Sequence, residues 1–468
     1  MTDASEDSTI VGQHSEFAGQ TRLRVGTYFR GLMTHGVLGE GAMGSAYLAS
    51  HPVLQMPLVI KTFKTTLGAN IFQEAHLAAR VFSPNVVGVL DAGYEAGIAF
   101  VTQRYVDGID LEELINYSRE CHWRLSLNMV CHILIDAANG LHAIHQAGVI
   151  HRDIKPANLF LYGSGTATVG DFGIAFDPVK EGSTPFPAGT PMFMAPEQWE
   201  WGKPGRYTDI YALGATGHLL ATGEFPFSGK DVMQLRQAHL HTPYVPPAIT
   251  EPAEAYLFSA IERALRKSAS ERYSNAAAFA RTLEVIAEPL PQIICTGECE
   301  ARTGQLRLEL IRGDLSEQQG EVIVNAANTE LTMNLGVAKA LRHVAGQQLE
   351  QEAMTHAPAA MGDVIWTSPG QLRARWVAHA VAANGGAVCL QRTTLRTLLG
   401  AEKRRATSVL FPALGTGVGD VPMDLAAKLM LEAVRTFAAL QPRYVREVRI
   451  ILYDDRALSR WCTIMHSM

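Results

Sequence analysis

The feature that most restricts what this chain can fold into is a break beyond its middle, at Glu288-Pro-Leu-Pro-Gln292. Two prolines this close end a helix, because each lacks an amide donor and clashes with the preceding turn. Upstream, the stretch from Asp209 to Ala287 reads mostly as helices. Downstream, strands and helices alternate: strands at 306–311, 322–324, 376–380, 408–411 and 448–453, and helices at 337–345 and 424–440. A polar, Gly-containing stretch runs on to Gly304, so the boundary between two domains is set at 288–304.

Composition narrows the class. At 468 residues the chain has room for several domains of roughly 100–200 residues each. Hydrophobic residues at 47% and charged residues at 18% exclude disorder of the whole. Lys plus Arg number 40 against 46 Asp plus Glu, with no basic block, so nucleic acid is not the expected partner. Six scattered cysteines form no disulfide framework, which fits a reducing, cytoplasmic setting. The opening residues lack an apolar signal segment and no run of 18 apolar residues occurs, so no membrane partner is expected. Residues 1–30 lack sustained periodicity and are expected to be a flexible tail.

Gly39-Glu-Gly41-Ala-Met-Gly44 lies between two expected strands. Glycines there permit a sharp turn and let backbone amides approach phosphate oxygens. A plain hairpin turn would read the same; a dinucleotide fingerprint would open a helix, whereas here a strand follows. Lys61 lies on that next strand, and Glu74 on the following helix could pair with it. Further on stand His151-Arg152-Asp153-Ile-Lys155-Pro-Ala-Asn158, Asp171-Phe172-Gly173 and Ala195-Pro196-Glu197.

This ordered set resembles the protein kinase family, specifically bacterial serine/threonine kinases of eukaryotic type. The resemblance implies an α+β two-lobed kinase domain over 31–287. It also implies ATP as the phosphoryl donor, Mg²⁺ (or Mn²⁺) as cofactor, and protein substrates with Ser or Thr hydroxyls. On that likeness Lys61 holds the α- and β-phosphates and Glu74 orients it. Asp153 is the catalytic base, Lys155 stands near the γ-phosphate, and Asn158 and Asp171 hold the metal. Leu38, Gly39, Gly41, Gly44, Ala46, Val59, Arg104 and Val106 would line the nucleotide site. Ala46 and Val59 stand where relatives carry valine and alanine, and Arg104 where many carry glutamate, so the adenine pocket is reshaped. Ser183 and Thr184 are the activation-loop phosphorylation candidates, with Arg152 as the cation to pair with them. Thr190 resembles the substrate-loop threonine that contacts the base, and Asp209 and the Arg272–Glu197 pair resemble large-lobe anchors.

A second ordered set comprises Gly313-Asp314, Val322-Ile-Val-Asn325-Ala-Ala-Asn328, and Phe411-Pro-Ala-Leu-Gly415-Thr416-Gly417-Val418-Gly419, each after an expected strand. Ligands of α/β sheets lie outside the carboxyl ends of strands, and a glycine loop before a helix offers amides to a diphosphate. Together these resemble the macrodomain family and imply a three-layer α/β/α domain over 305–468 that binds ADP-ribose or ADP-ribosylated protein. Asp314 would accept from the adenine amino group and Tyr453 would stack near it. Asn328 would face the distal ribose, with Gly336, Val337 and the Gly415–Gly419 loop around the diphosphate. Asn325 is either a strand anchor or a ligand contact. Hydrolytic relatives carry aspartate where this chain has Ala338, which can neither polarise water nor take a proton. Binding is therefore expected ahead of hydrolysis.

The expected whole is a kinase that its macrodomain targets or regulates. A self-phosphorylating ADP-ribose sensor and an ADP-ribosyl hydrolase with a regulatory kinase domain stay open as alternatives. Cys295 and Cys299 read as ordinary thiols, and His142 and His145 as packing ahead of the catalytic loop.

Overall fold

The computed structural model describes residues 22–41, 44–54, 56–63, 70–171, 190–382, 388–417 and 419–468. Phe172, Gly173, Ser183, Thr184, Val418 and the side chain of Glu74 lie outside the described residues. The chain divides into two bodies: one takes in residues up to Arg80 together with Gly88–Tyr105, the other Val81–Val87 and the described residues from Val106 on.

In the first body the strands are β1 (Tyr28–Phe29), β2 (Leu32–Glu40), β3 (Gly44–Ser50), β4 (Pro57–Phe63), β5 (Val89–Glu95) and β6 (Ile98–Arg104), with helix α1 (Asn70–Ala78) between β4 and β5. They pair antiparallel in the order β1-β2-β3-β4-β6-β5. The period of two decides which side chains go inside: β4 buries Leu58, Ile60 and Thr62 on one face and turns Val59 and Lys61 to the other. Leu58 and Ile60 join Tyr47, Ala49, Ile98 and Phe100 in the core. Leu23 and Phe29, from the stretch expected to be a tail, belong to the same core, and the Leu23 amide donates to the Tyr47 hydroxyl at 3.2 Å. Residues 22–30 thus contribute to this core, because two apolar anchors too far apart for periodicity find burial in tertiary structure.

The second body begins with β7 (Gly108–Asp110), α2 (Leu111–Glu120), α3 (Leu127–Gln146), β8 (Leu159–Tyr162) and β9 (Ala167–Val169). Then come α4 (Pro196–Trp199), α5 (Arg206–Thr222), α6 (Val232–His241), α7 (Pro252–Ala264) and α8 (Ala276–Glu284). Helix α3 runs over a stretch whose apolar residues recur at helical spacing. Ser126 caps its N-terminus by accepting from Met129 N at 3.2 Å, and beyond its end Gly148 takes a φ of 80°. Long and apolar enough to cross a membrane by composition, α3 is mostly buried inside this body.

The rest of the second body is built on β10 (Ile294–Cys295), β11 (Glu300–Thr303), β12 (Leu306–Arg312) and β13 (Val322–Ala327), followed by α9 (Gly336–Ala345) and α10 (Gln347–Met354). After these come β14 (Val364–Thr367), β15 (Trp376–Val381), α11 (Leu390–Lys403), β16 (Ser408–Pro412), α12 (Met423–Ala439), β17 (Glu447–Leu452) and α13 (Asp455–Ser467). The sheet order is β10-β11-β12-β17-β16-β13-β15-β14, parallel from β12 to β15 and antiparallel at both edges. Ile323, Val377, Leu410 and Ile451 pack against Leu341 of α9 and Leu349 of α10. The alternate residues Val322 and Val324 are equally buried, so a second helical layer, α11–α13, covers the other face. Residues 294–303, expected within the linker, form the β10–β11 hairpin of this sheet, which leaves 288–293 as the connection.

That connection is strapped down. The Glu288 backbone exchanges hydrogen bonds with the Asn128 side-chain amide at 2.8 and 2.9 Å, and its carbonyl contacts His132 Nε2 at 2.6 Å. Beyond it α11 lies against the segment that opens the second body. Asp107 accepts from the backbone amides of Gln391 and Arg392 at 2.9 and 2.8 Å, so a carboxylate from one domain caps a helix of the other. Burial pushes the Asp107 carboxyl up to about 6, against the opposing pull of these two amides and the Arg392 charge. Arg396 grips Glu113 through two bonds of 2.7 and 2.8 Å and reaches Asp363 at 2.9 Å. Trp123 Nε1 and Ser126 Oγ donate to the carbonyls of Gln441 and Ala439 at 3.0 and 2.8 Å. A side chain on Gly163 would run into Gln391 at 2.5 Å, so close approach at this seam requires glycine there.

Candidate functional site

The 151–158 segment folds around one buried carboxylate. Asp209, 1% exposed, accepts from the backbone amides of His151 and Arg152 at 2.9 and 2.7 Å and pairs with His145 Nε2 at 2.7 Å. His151 Nε2 contacts the Gly170 carbonyl at 2.8 Å, and burial lowers the imidazole's pKa. These contacts hold Arg152 at a φ of 69°, a region a side-chain-bearing residue seldom adopts without support, and Asp171 sits at 51°. His145 is thus an internal brace, as packing ahead of the loop would have it.

On this frame four side chains converge. Lys155 Nζ lies 2.7 Å from Asp153 Oδ2 and 3.0 Å from Thr190 Oγ1, and the Thr190 hydroxyl donates to Asp153 Oδ1 at 3.2 Å. Asn158 Nδ2 donates to the Asp153 carbonyl and to its Oδ2 at 2.7 and 3.1 Å. Asp153 is therefore oriented by three partners while about a third of its side chain stays exposed, as a base that must meet a substrate hydroxyl requires. With its amide nitrogen committed, Asn158 has its oxygen to offer a cation; together with the Asp171 carboxylate this is an oxygen donor set suited to Mg²⁺. Glu197 receives Arg272 through bonds of 2.8 and 2.9 Å and Thr208 at 2.9 Å, an anchor rather than a reactive group.

In the first body, Gly41 N donates to Gly44 O at 2.9 Å and closes the hairpin. A Cβ at Gly39 or Gly41 would meet open space, whereas one at Gly44 would fall 1.7 Å from the Thr62 carbonyl. The first two glycines leave room above the turn; the third is demanded by strand contact. Ala46 pairs in register with Lys61, and Lys61 with Val101. Burial lowers the Lys61 ammonium to about 8. Leu38 lies on β2 and Val59 beside Lys61 on β4. Arg104 ends β6 with its side chain along Gly88, and Val106, 8% exposed, opens the second body.

The macrodomain-like residues follow strand ends of one sheet edge. Gly313 N donates to Leu452 O at 2.9 Å, which joins the Asp314 loop to the one bearing Tyr453, a residue 86% exposed. Asp314 Oδ1 accepts from the amide and hydroxyl of Ser316 at 2.8 and 2.7 Å. Asn328 exchanges bonds with Thr332 N and Oγ1 at 3.1 and 2.9 Å. Gly336, with a φ of 52°, opens α9 beside a recess of about 390 Å³ whose lining includes Lys339, Arg342 and His343. Gly415 takes a φ of 78°, and a Cβ on Gly419 would lie 2.7 Å from the Gly415 carbonyl, while Gly417 faces open space. Thr416 Oγ1 donates to Ala413 O at 2.9 Å. Val337 packs against the core and Ala338 is buried within it; Leu335 is 67% exposed. Asn325 departs from this group: it is 1% exposed, and its Nδ2 meets His379 Nδ1 at 3.0 Å inside the sheet. The neighbouring strand takes up its Nδ2, while its Oδ1 is buried with no hydrogen-bond partner among the described residues.

Sequence reasoning passed over Asp107, Glu113 and Arg396, which hold the two domains together, since their partners lie hundreds of residues away.

A family model described as a protein kinase domain matches residues 32–283, and one described as a Macro domain matches residues 324–430. The chain is 29% identical over 358 residues to the serine/threonine-protein kinase pkn3 of Myxococcus xanthus, covering 71% of this chain and 64% of that one. It is 29% identical over 256 residues to the serine/threonine-protein kinase PknB of Mycobacterium tuberculosis, covering 52% and 40%. It thus spans less than two thirds of either relative. A solved macrodomain of Oceanobacillus iheyensis is 27% identical, with a TM-score of 0.34, and covers 36% of this chain and 95% of that one.

Proposed function

Because this chain belongs to the protein kinase family and carries a macro domain behind its kinase domain, we propose that it transfers the γ-phosphate of ATP to Ser or Thr hydroxyls of proteins. The observation that carries this reading is the cluster of Asp153, Lys155, Thr190 and Asn158. Asp153 orients the substrate hydroxyl and accepts its proton as the oxygen attacks. Lys155, already between Asp153 and Thr190, neutralises charge on the migrating group. Thr190 ties the substrate-side loop to the base. Lys61 and the Gly39–Gly44 turn hold the donor's phosphates, with Glu74 orienting the lysine. Asn158 and Asp171 would hold Mg²⁺, which would neutralise charge on the phosphoryl oxygens.

For the macro domain we propose binding of ADP-ribose or an ADP-ribosylated protein by Asp314, Asn328, Gly336, Val337, Tyr453 and the Gly415–Gly419 loop. Hydrolysis is not part of the proposal, since Ala338 is a core residue with no group to activate water. The cap of Asp107 on α11 supports a regulatory role: α11 starts beside Gly415, whose Cβ would lie 3.1 Å from Leu390, so the ligand loop and the kinase segment bear on one helix end. A cytoplasmic setting, where ATP and NAD-derived ligands are both present, belongs to the same proposal.

The test is transfer of labelled γ-phosphate by the full chain to a Ser/Thr protein substrate, with and without ADP-ribose, and calorimetric titration with ADP-ribose. Label lost in Asp153→Asn and heat lost in Gly419→Ala are the expected results. Label that persists in Asp153→Asn would refute the assignment of the base.

A further inference from the structure

We infer that Cys299 and Cys462 are an oxidisable thiol pair that closes a disulfide on exposure to hydroperoxide, tying the β10–β11 turn to the C-terminal helix α13. Their Sγ atoms lie 3.2 Å apart although the residues are 163 positions apart in sequence. Neither is loosely placed: the Cys299 carbonyl accepts from Leu310 N at 2.9 Å, and Cys462 lies on α13, where its carbonyl contacts His466 Nδ1 at 2.7 Å. Such a pair needs only a small approach of two sulfurs already facing each other.

The two sulfurs differ in access, which assigns their roles. Cys299 is part-exposed and Cys462 is 8% exposed, so the oxidant meets Cys299 first. The Cys299 thiolate attacks one peroxide oxygen. An S–O bond forms, the O–O bond breaks, and hydroxide leaves as water after taking up a proton. The Cys462 sulfur then attacks the sulfenic sulfur; the S–S bond forms, the S–O bond breaks, and the Cys462 proton departs with hydroxide as a second water. Two thiols lose two electrons and one hydroperoxide gains them. Burial, together with the neighbouring Cys299, pushes the Cys462 thiol up to about 12, which keeps it protonated and leaves the first attack to Cys299; Cys462 gives up its proton as it attacks the sulfenic sulfur.

Cys295 lies in the same corner, on β10, with its Sγ directed to the Met465 carbonyl at 3.8 Å. It serves as an internal control, a nearby thiol outside the close pair. A soft metal ion is the rival occupant of three such thiols, but among the described residues no group of three or more ligating side chains is arranged to hold one. The bond would close a loop over nearly all of the domain from β11 to α13, and so restrict its unfolded state.

The experiment treats the reduced, metal-free full chain with hydrogen peroxide, blocks remaining thiols and maps peptides by mass. The expected product is a reductant-sensitive link between the peptides bearing Cys299 and Cys462, two hydrogens lighter than their sum. It should be absent in Cys299→Ser and in Cys462→Ser and retained in Cys295→Ser, with a melting temperature that rises on oxidation and returns with dithiothreitol. A Cys295–Cys299 link, only sulfinic or intermolecular products, or stoichiometric zinc in the chain as isolated would each overturn the inference. The wild-type map decides it even if a serine variant fails to fold.

Discussion

The Arg392 amide donates to Asp107 Oδ1 at 2.8 Å, so the segment just after Tyr105 caps a helix 285 residues further along the chain. With the Gln391 amide on Oδ2 at 2.9 Å, the carboxylate satisfies two of the amides that a helix start leaves without intrahelical partners. The kinase and macro domains therefore share a buried polar joint.

The sign of the Asp107 contribution follows from its titration. Its folded value is raised from 3.8 to about 6, so the stabilising contribution is present below 4 and is lost as pH rises through about 6. Asp107→Asn keeps an acceptor without the buried charge and is expected to melt at or above the wild-type temperature at pH 7.5, with that part of the pH dependence gone. Asp107→Ala orphans two amides and is expected to cost about 1–3 kcal/mol. Thermal unfolding of the three chains from pH 4.5 to 8 checks both.

Arg396 is the second fastener. Its fork meets Glu113 with both side chains mostly buried, and its remaining nitrogen reaches Asp363. Arg396→Ala is expected to destabilise by about 3 kcal/mol, because it strands a buried carboxylate. Arg396→Lys should recover only part of this, as a point charge cannot bind two oxygens in one plane. Denaturant unfolding of each variant measures the difference.

Within the transfer site, Asp153→Asn is expected to lower the rate of labelled-phosphate transfer by roughly 10²–10⁴-fold with little change in melting temperature. Thr190→Ala removes one of the partners of Asp153 and should cost less, mainly in turnover with peptide substrates. Initial rates at saturating ATP separate the two.

Lys61 carries its own pH signature. Burial lowers its ammonium to about 8, so its charge, and with it the proposed hold on ATP phosphates, fades as pH rises through that value. The apparent KM for ATP is expected to climb between pH 7.5 and 9, and a Lys61→Met chain should bind ATP weakly at every pH without that rise. Nucleotide titrations across this range give the answer.

For the ligand loop, Gly419→Ala places a methyl 2.7 Å from the Gly415 carbonyl and is expected to weaken ADP-ribose binding by at least about tenfold, or ~1.4 kcal/mol. Calorimetry on the full chain reads it directly.

Much of this was legible in the residues. Strand β4 and helix α3 follow from periodicity and caps, and the parallel strands β13, β16 and β17 from short apolar runs. Helix α11 was not, since Thr393, Thr394 and Thr397 stand among its buried leucines and blur the apolar period. Nor were β10 and β14, which are short edge strands recognisable only by their pairing.

The sequence by itself determined the order of the two domains, the residue types at Asp153, Lys155, Asn158 and Asp171, and the absence of an acid at Ala338, because these depend on residue type and local spacing. The tertiary structure decided what each polar group does with its hydrogen bonds. It turned Asn325 into the sheet, fixed Asp209 as the brace of the catalytic loop, set Asp107 on α11 and brought Cys299 to Cys462. Those outcomes rest on contacts between residues tens to hundreds of positions apart, which are formed only when burial makes each polar group find a partner.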